Sequence, residues 1–269
     1  MPQIIVLKAN GEKEYFDIVK VAKSLQRSGA SKQDIKTVLQ QLIPKLYNNI
    51  STHEIYKIVH SLLYKNTNTQ GVASKYNLKK AIFDLGPSGY PFEKFLAGIF
   101  NSMGYTTKTN IIAKGKCVSH EIDVIANKGS QNIYIEAKFH GRQGFKTNIK
   151  TALYVFARYL DIAETHKNVE YYLITNTKVT NEVIKYSLCS GLKVISWDYP
   201  NNNSLRNLVD KSNLHPITIL ASIPEITKKH LLNNGVIFYE DLKNNKSLIS
   251  QKEYNSAISE YEKMYNKII

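Results

Sequence analysis

The sequence predicts a multi-domain chain of mixed α+β and α/β class. It comprises an N-terminal β-hairpin with four helices, a central mixed sheet flanked by helices, and a small helical C-terminal segment. Three observations predict this. Two turn-forming stretches, Gly86-Pro87-Ser88-Gly89-Tyr90-Pro91 and Tyr199-Pro200-Asn201-Asn202-Asn203-Ser204, divide the chain into residues 1–86, 87–200 and 201–269. The middle part alternates hydrophobic strand runs with helical periodicity, as in a sheet covered on both faces. The outer parts are dominated by helical spacing.

In the first part Ile4-Ile5-Val6-Leu7-Lys8 reads as a strand, Ala9-Asn10-Gly11-Glu12 as a turn and Glu14-Tyr15-Phe16 as a second strand. Asp17 can cap a helix through Ile18, Val19, Val21, Ala22 and Leu25. Ser31-Lys32-Gln33-Asp34 opens a second helix and Ser51-Thr52-His53-Glu54 a third, which carries Ile55, Ile58, Val59, Leu62 and Leu63. A fourth runs from Val72 to Ile82.

The central part opens with a helix over Pro91–Tyr105, with apolar residues at 92, 95, 96, 99, 100 and 103. Pro91 suits its first turn and Gly104 its end. At about 100° per residue, Glu93 lies on the flank of the apolar stripe. Strands follow at 119–126 and 133–138, joined by Asn127-Lys128-Gly129-Ser130. A helix from Thr147 to Leu160 has Ile149, Ala152, Leu153, Phe156 and Leu160 on its apolar face, with Lys150, Tyr154 and Arg158 as a separate polar stripe. Tyr171-Tyr172-Leu173-Ile174-Thr175, a helix at 179–190, and Leu192-Lys193-Val194-Ile195-Ser196-Trp197 complete the unit.

The C-terminal part places short helices around Pro224 and Gly235, then an amphipathic helix with Tyr254, Ala257, Ile258, Tyr261, Met264 and Tyr265 on one side.

The chain has 269 residues, 43% hydrophobic and 22% charged, which is ordinary for a globular protein and too long for one typical domain. It contains no run of about eighteen apolar residues, and Met1-Pro2-Gln3 leads straight into a strand; the expectation is neither a membrane span nor a signal peptide. Cys117 and Cys189 lie far apart with no partner at zinc spacing, so a reduced, cytoplasmic protein without structural zinc is expected. The net charge of +14 suggests a polyanionic partner. Residues 1–86 hold 13 basic against 6 acidic side chains, 87–200 hold 14 against 9, and 201–269 hold 9 against 7, so the positive field lies over the first two parts. Charge does not choose between DNA and RNA.

The chemistry concentrates in Ser119–Ala126 and Ile133–Lys138. Side chains alternate in a strand, so Ile122 and Val124 are expected on one face with Glu121 and Asp123 opposite. In the second strand Tyr134, Glu136 and Lys138 lie opposite Ile133, Ile135 and Ala137. The hairpin can thus bring Asp123 and Glu136 together with Lys138 beside them. Two carboxylates and an amine so placed suit a hard cation and phosphodiester hydrolysis. An exposed strand with Glu and Lys also serves solubility alone; the Asp inside an apolar strand and the edge Glu93 favour the site. His120 is a further candidate, although such a residue is more often a strand histidine satisfied by a neighbour.

The spacing Asp-x12-Glu-x-Lys, with a helix bearing an edge Glu before it, resembles the PD-(D/E)XK nuclease core, and over residues 88–200 the Mrr-like restriction endonucleases. The resemblance implies that Asp123, Glu136 and the Ala137 carbonyl bind Mg²⁺ or Mn²⁺. It implies that Lys138 orients the attacking water and that Glu93 supports a second metal position or its water. The helix after the Glu-x-Lys strand often lends a side chain to such sites, which nominates Lys150 or Tyr154, although a solvated helix face is the commoner role for such a stripe.

Residues 3–85, beginning Val-x-Lys-x-x-Gly and Phe-Asp-x-x-Lys and including Val72-Ala73 and Tyr76, resemble the ATP-cone of ribonucleotide reductases and their transcriptional repressor. This implies ATP or dATP as a regulatory ligand, with Lys8 and Lys20 on phosphates, Glu14 and Asp17 by the ribose or base, and Thr52 and Tyr56 from the third helix. Family members usually carry Arg after the first-strand Lys, whereas this chain has Ala9, which removes a bidentate phosphate contact. The segment about Pro224 and Gly235 resembles a helix-hairpin-helix, but Pro224 offers no N–H to a phosphate.

Together these imply a metal-dependent deoxyribonuclease under adenine-nucleotide control, acting on DNA as a homo-oligomer, with restriction of foreign DNA as its setting. The competing reading is a nucleotide-responsive DNA-binding regulator with an inert nuclease fold, although the paired CxxC motifs of the known repressor are absent.

Overall fold

Ile5–Leu7 (β1) and Lys13–Tyr15 (β2) pair antiparallel as the expected hairpin, in a computed structural model that describes residues 3–265. Met1 and Pro2 lie outside the described residues. Asp17 caps α1 (Ile18–Arg27) by accepting the Val19 N–H at 2.8 Å. A reciprocal box between Ser31 and Asp34 opens α2 (Lys32–Leu42). Ile50–Ser51 (β3) adds to β1 in parallel, Val6 opposite Ile50, and runs directly into α3 (Thr52–Lys65). The fourth predicted helix is divided at Asn77 into α4 (Gln70–Tyr76) and α5 (Leu78–Phe83). Leu25, Leu42, Ile50, Val59, Leu63 and Ala73 are fully buried at the centre of this unit.

In the central unit, α6 (Tyr90–Ser102) buries Phe92, Phe95, Leu96, Ile99 and Phe100. Next come β4 (Thr106–Lys114), β5 (Ser119–Lys128), β6 (Gln131–Lys138), β7 (Lys146–Thr147) and α7 (Ile149–Ala163). They lead into β8 (Val169–Thr175), β9 (Lys178–Val179), α8 (Asn181–Ser190), β10 (Lys193–Ile195) and α9 (Leu205–Ser212). The sheet order is β10-β8-β6-β5-β4. β4, β5 and β6 are antiparallel neighbours, while β6, β8 and β10 run parallel, so the sheet is mixed as expected. A separate parallel pair joins β7 to β9. β4 has no counterpart in the sequence reading: Thr-Thr-Lys-Thr-Asn is too polar to read as a strand until an edge position explains it.

The last helices are α10 (Glu225–Asn233), α11 (Tyr239–Asn244) and α12 (Gln251–Tyr265). The sequence divides the chain at 86 and 200; in space, Phe83–Pro216 forms one compact unit, and the residues from Ile217 onward join those up to Ile82 in the other. Residues 201–269 are therefore not a third body. Two contacts account for this. The buried Glu260 of α12 accepts Ser74 Oγ at 2.6 Å and the N–H groups of Ala221 and Ser222 at 2.9 and 2.8 Å. A Cβ on Gly71 of α4 would stand 2.1 Å from the Lys263 carbonyl oxygen, so only glycine permits this approach of α12. About Pro224 a single 3₁₀ turn, Ile217–Ile219, precedes α10, and Pro224 itself is the N-cap of α10. Among the described residues no helix is long and apolar enough to cross a membrane.

Candidate active site

The central sheet opens at Asp123. On one side of β5 the ladder pairs Thr109 with Val124 and Ile111 with Ile122, passing over Asn110 and Asp123 between them. Asn110 there adopts a left-handed backbone, φ 54°, which asparagine tolerates better than most residues. On the other side the β5–β6 ladder runs from Val124 opposite Ile135 toward the turn, leaving Asp123 outside it. The Asp123 carboxylate instead accepts the Ala137 N–H at 2.7 Å. This disturbs the alternation expected from the sequence: Ile122 and Ile125, three residues apart, join the same core with Tyr134 and with Val155 and Ile162 of α7. The strand is re-aimed locally where its carboxylate replaces a ladder hydrogen bond.

Four carboxylates gather around this opening. Glu93, from the first turn of α6, accepts Asn110 Nδ2 at 3.0 Å, and the same amide donates to Glu121 at 3.2 Å. Glu136 of β6 is taken by Arg158 of α7, whose other arm donates to the Glu121 carbonyl. Burial pushes the Asp123 carboxyl up to about 6, the Glu136 charge adds to the shift, and the Ala137 N–H and Arg158 oppose it. Burial also raises Glu93, against its hydrogen bond from Asn110 and with help from the Asp123 and Glu121 charges. Lys138 is exposed at the end of β6, opposite Thr175 of β8, and among the described residues it holds no ion pair.

The donors here are oxygens only, which suits a hard cation such as Mg²⁺ or Mn²⁺. Asp123 and Glu136 repel one another in a partly desolvated place, so a divalent ion would relieve a penalty the fold already carries. Among the described residues no group of three or more His, Cys, Asp or Glu side chains is placed to hold an ion by itself. The Ala137 carbonyl and water would have to complete the shell.

The structure thus brings Glu93, Asp123 and Glu136 to one opening with Lys138 at its margin. Sequence reasoning missed Asn110 and the engagement of Glu121. It nominated Lys150 and Tyr154 on α7, both exposed, whereas Arg158, one turn farther along the same stripe, reaches the carboxylates. Its approach over the Tyr154 ring, 5.5 Å from the centroid, gives that tyrosine a supporting place. His120 is held by Asp161 at 2.7 Å; Asp161 also accepts the Cys117 and Val118 N–H groups, and these contacts keep its carboxyl well below the usual range.

In the N-terminal unit, Lys8 and Lys20 converge on Glu14 at 2.9 and 3.2 Å. Because β1 and β3 run parallel, Lys8 follows Leu7 as Thr52 follows Ser51, which sets the start of α3 beside Lys8. Asp17 uses one carboxylate oxygen, Oδ1, for the α1 cap. Tyr56 is turned toward α4: its hydroxyl donates to Asn77 and its ring stacks on Tyr76 at 5.6 Å.

The ATP cone domain family model matches residues 4–80, and the restriction endonuclease family model Mrr_cat matches residues 87–200. The chain is an ATP cone fused to a restriction endonuclease domain. The Mrr_cat match closes at residue 200, so the helix-hairpin-helix resemblance is not confirmed. An uncharacterized protein of Archaeoglobus fulgidus is 37% identical over 147 residues, which make up 55% of this chain and 83% of that protein. A solved structure described as Protein of Unknown Function AF1548 superposes with a TM-score of 0.57 at 32% identity, covering 67% of this chain and 100% of that one. In the cone the hairpin, α1 with its cap, and α3 carry the expected ligand residues, and in the endonuclease domain α6 and the opened β5 and β6 carry the carboxylates.

Proposed function

We propose that this cone–endonuclease fusion is a metal-dependent DNA endonuclease whose activity answers to ATP or dATP at the cone, in the setting of foreign-DNA restriction. The observation that carries the reading is the gathering of Glu93, Asp123 and Glu136 where the β5 ladders lapse, with Lys138 exposed beside them. Asp123, Glu136 and the Ala137 carbonyl are the residues that would hold Mg²⁺ or Mn²⁺, which when bound supplies charge neutralisation at the scissile phosphate. Lys138 orients the attacking water and offsets charge developing on the phosphate oxygens. Glu93, half-buried and with its carboxyl raised above the usual range by burial, would support a second metal position or its water at the edge of the site. At the cone, Lys8 and Lys20 take phosphates, the start of α3 at Thr52 adds its amides, Glu14 and Asp17 lie toward the ribose or base, and Tyr56 stacks near the base. A homo-oligomer is the assembly this reading expects.

Incubating the full chain with supercoiled plasmid and Mg²⁺, with and without ATP or dATP, tests it. Nicking that EDTA and Lys138→Ala abolish, and that nucleotide alters, is the expected result. Undiminished nicking by Lys138→Ala removes the assignment, and cleavage of an RNA of the same sequence in place of DNA changes the substrate. One observation favours a second reading, an inert nuclease fold serving a nucleotide-responsive DNA-binding regulator: Arg158 already occupies Glu136. Binding of plasmid without nicking in either Mg²⁺ or Mn²⁺ would select it.

A further inference from the structure

Directly after Lys138 the chain leaves the sheet as a loop, residues 139–145, which leads into β7 of the separate β7–β9 pair. Its two ends are fixed. Phe139 packs on Phe92 at 5.6 Å between ring centroids. The fully buried Asn176 clasps the next backbone unit twice, accepting the His140 N–H and donating to the His140 carbonyl, both at 2.9 Å. At the far end Thr147 is buried and bonds His140 Nε2 at 3.0 Å. Between these anchors the chain is solvent-facing, and Gly144 adopts φ 92°.

What this held loop presents is unusual for a merely solvated turn. Phe145 is 57% exposed although it is one of the largest apolar side chains, and its ring lies parallel to the His140 ring, 6.3 Å away with planes 1° apart. Arg142 precedes it by three residues and Lys146 follows it directly, both exposed. From Lys138 to Lys150 there are four basic side chains and no acidic one. An exposed aromatic plate with cations before and after it in the chain is the equipment for a base between two phosphates.

We infer that loop 139–145, with Lys146 at the start of β7, is a nucleic-acid docking surface, on which an unpaired base stacks against Phe145, backed by His140, while Arg142 and Lys146 hold the neighbouring phosphates. This rests on the endonuclease reading only in expecting the polymer to pass Lys138. A fully paired duplex offers the plate no base face, so the surface favours single-stranded or mismatched nucleic acid.

The test measures binding of the full chain in EDTA, where no cleavage occurs. The probes are a fluorescein-labelled single-stranded DNA containing 2-aminopurine, the same strand in a duplex with one mismatch, and the fully paired duplex. Expected is quenching of 2-aminopurine by wild type and by Phe145→Trp, lost in Phe145→Ala and Phe145→Leu. Affinity of the Ala variant should fall about 5- to 50-fold on the first two probes and less than about twofold on the paired duplex. Arg142→Ala should reduce the dependence of log K on log salt by about 0.7 for the single strand. Wild-type binding by Phe145→Ala, wild-type binding by Phe145→Leu, an equal loss on all three probes, or an unchanged salt slope overturns the inference. Absence of plasmid cleavage, by contrast, bears on the endonuclease reading and leaves this binding result standing.

Discussion

The guanidinium of Arg158, on α7, rests on the carboxylate of Glu136, on β6, and reaches past it to the Glu121 carbonyl on β5. It thus joins the two strands where their own ladder has lapsed, and it balances a carboxylate that would otherwise face Asp123 unpaired. Arg158→Ala should therefore cost about 1–3 kcal/mol, less than a fully buried pair because both side chains keep some water. Mg²⁺ should recover part of that loss, since an ion bound only by the folded state stabilises it. Arg158→Lys, a point charge that cannot span carboxylate and carbonyl, should fall between. Urea unfolding in EDTA and in Mg²⁺ measures each; an Arg158→Ala chain as stable as wild type in EDTA would remove this role.

Asp123 makes the metal-free protein sensitive to pH. Its folded pKa of about 6 lies above its ordinary 3.8, so the folded state holds this proton more tightly than the unfolded one. Asp123 therefore costs nothing below about pH 4, destabilises increasingly as pH rises toward 6, and levels off at up to about 3 kcal/mol. In EDTA, Asp123→Asn should gain on wild type across that window and stay ahead above it. Denaturant midpoints of both proteins between pH 4 and 8 test the sign; parallel profiles would contradict it.

Lys8 and Lys20 share Glu14 at the mouth of the cone, and Glu14 raises the Lys8 ammonium pKa above its usual value. Phosphates can draw on both lysines. Lys8→Ala should weaken ATP and dATP binding about tenfold, the scale of one charge-assisted hydrogen bond. Ala9→Arg should strengthen it by a similar factor by restoring a guanidinium beside Lys8. Isothermal titration with each nucleotide gives the comparison, and heats unchanged by Lys8→Ala would take Lys8 out of the phosphate site.

Glu260, nearly buried, ties α12 to Ser74 of α4 by one hydrogen bond and to the Ala221 and Ser222 N–H groups ahead of α10 by two more. Glu260→Ala should cost about 2–4 kcal/mol, because Ser74 and two backbone N–H groups lose their acceptor together. Ending the chain at Pro216 should leave the cone residues without a cooperative melt. A cone that melts as sharply without α12 would show that the C-terminal helices are an accessory.

Much of this molecule is legible along the chain because the signals are local. Asp17, Ser31 and Ser51 announce helix starts by residue type and spacing, and each does cap where expected. Asp123, Glu136 and Lys138 stand out because charged residues break apolar strand runs. Arg158 was visible only as one of three polar residues on a helical stripe, and nothing in that stripe says which turn of α7 lies over β6. Asn110 sits in a strand too polar to be recognised, at a sheet edge that exists only once β5 has been placed.

By itself, then, the sequence determined most of the longer elements, their order, the cone and endonuclease halves, and the residues that carry charge into the central sheet, because capping, periodicity and alternation act over a few residues. Only the tertiary structure decided that residues from Ile217 onward complete the cone rather than stand apart, and that Arg158 reaches Glu136. It alone decided that β5 slips at Asp123. Those outcomes depend on contacts between residues far apart in the chain, where burial and unpaired hydrogen-bonding groups set the energy and spacing along the sequence carries no record of it.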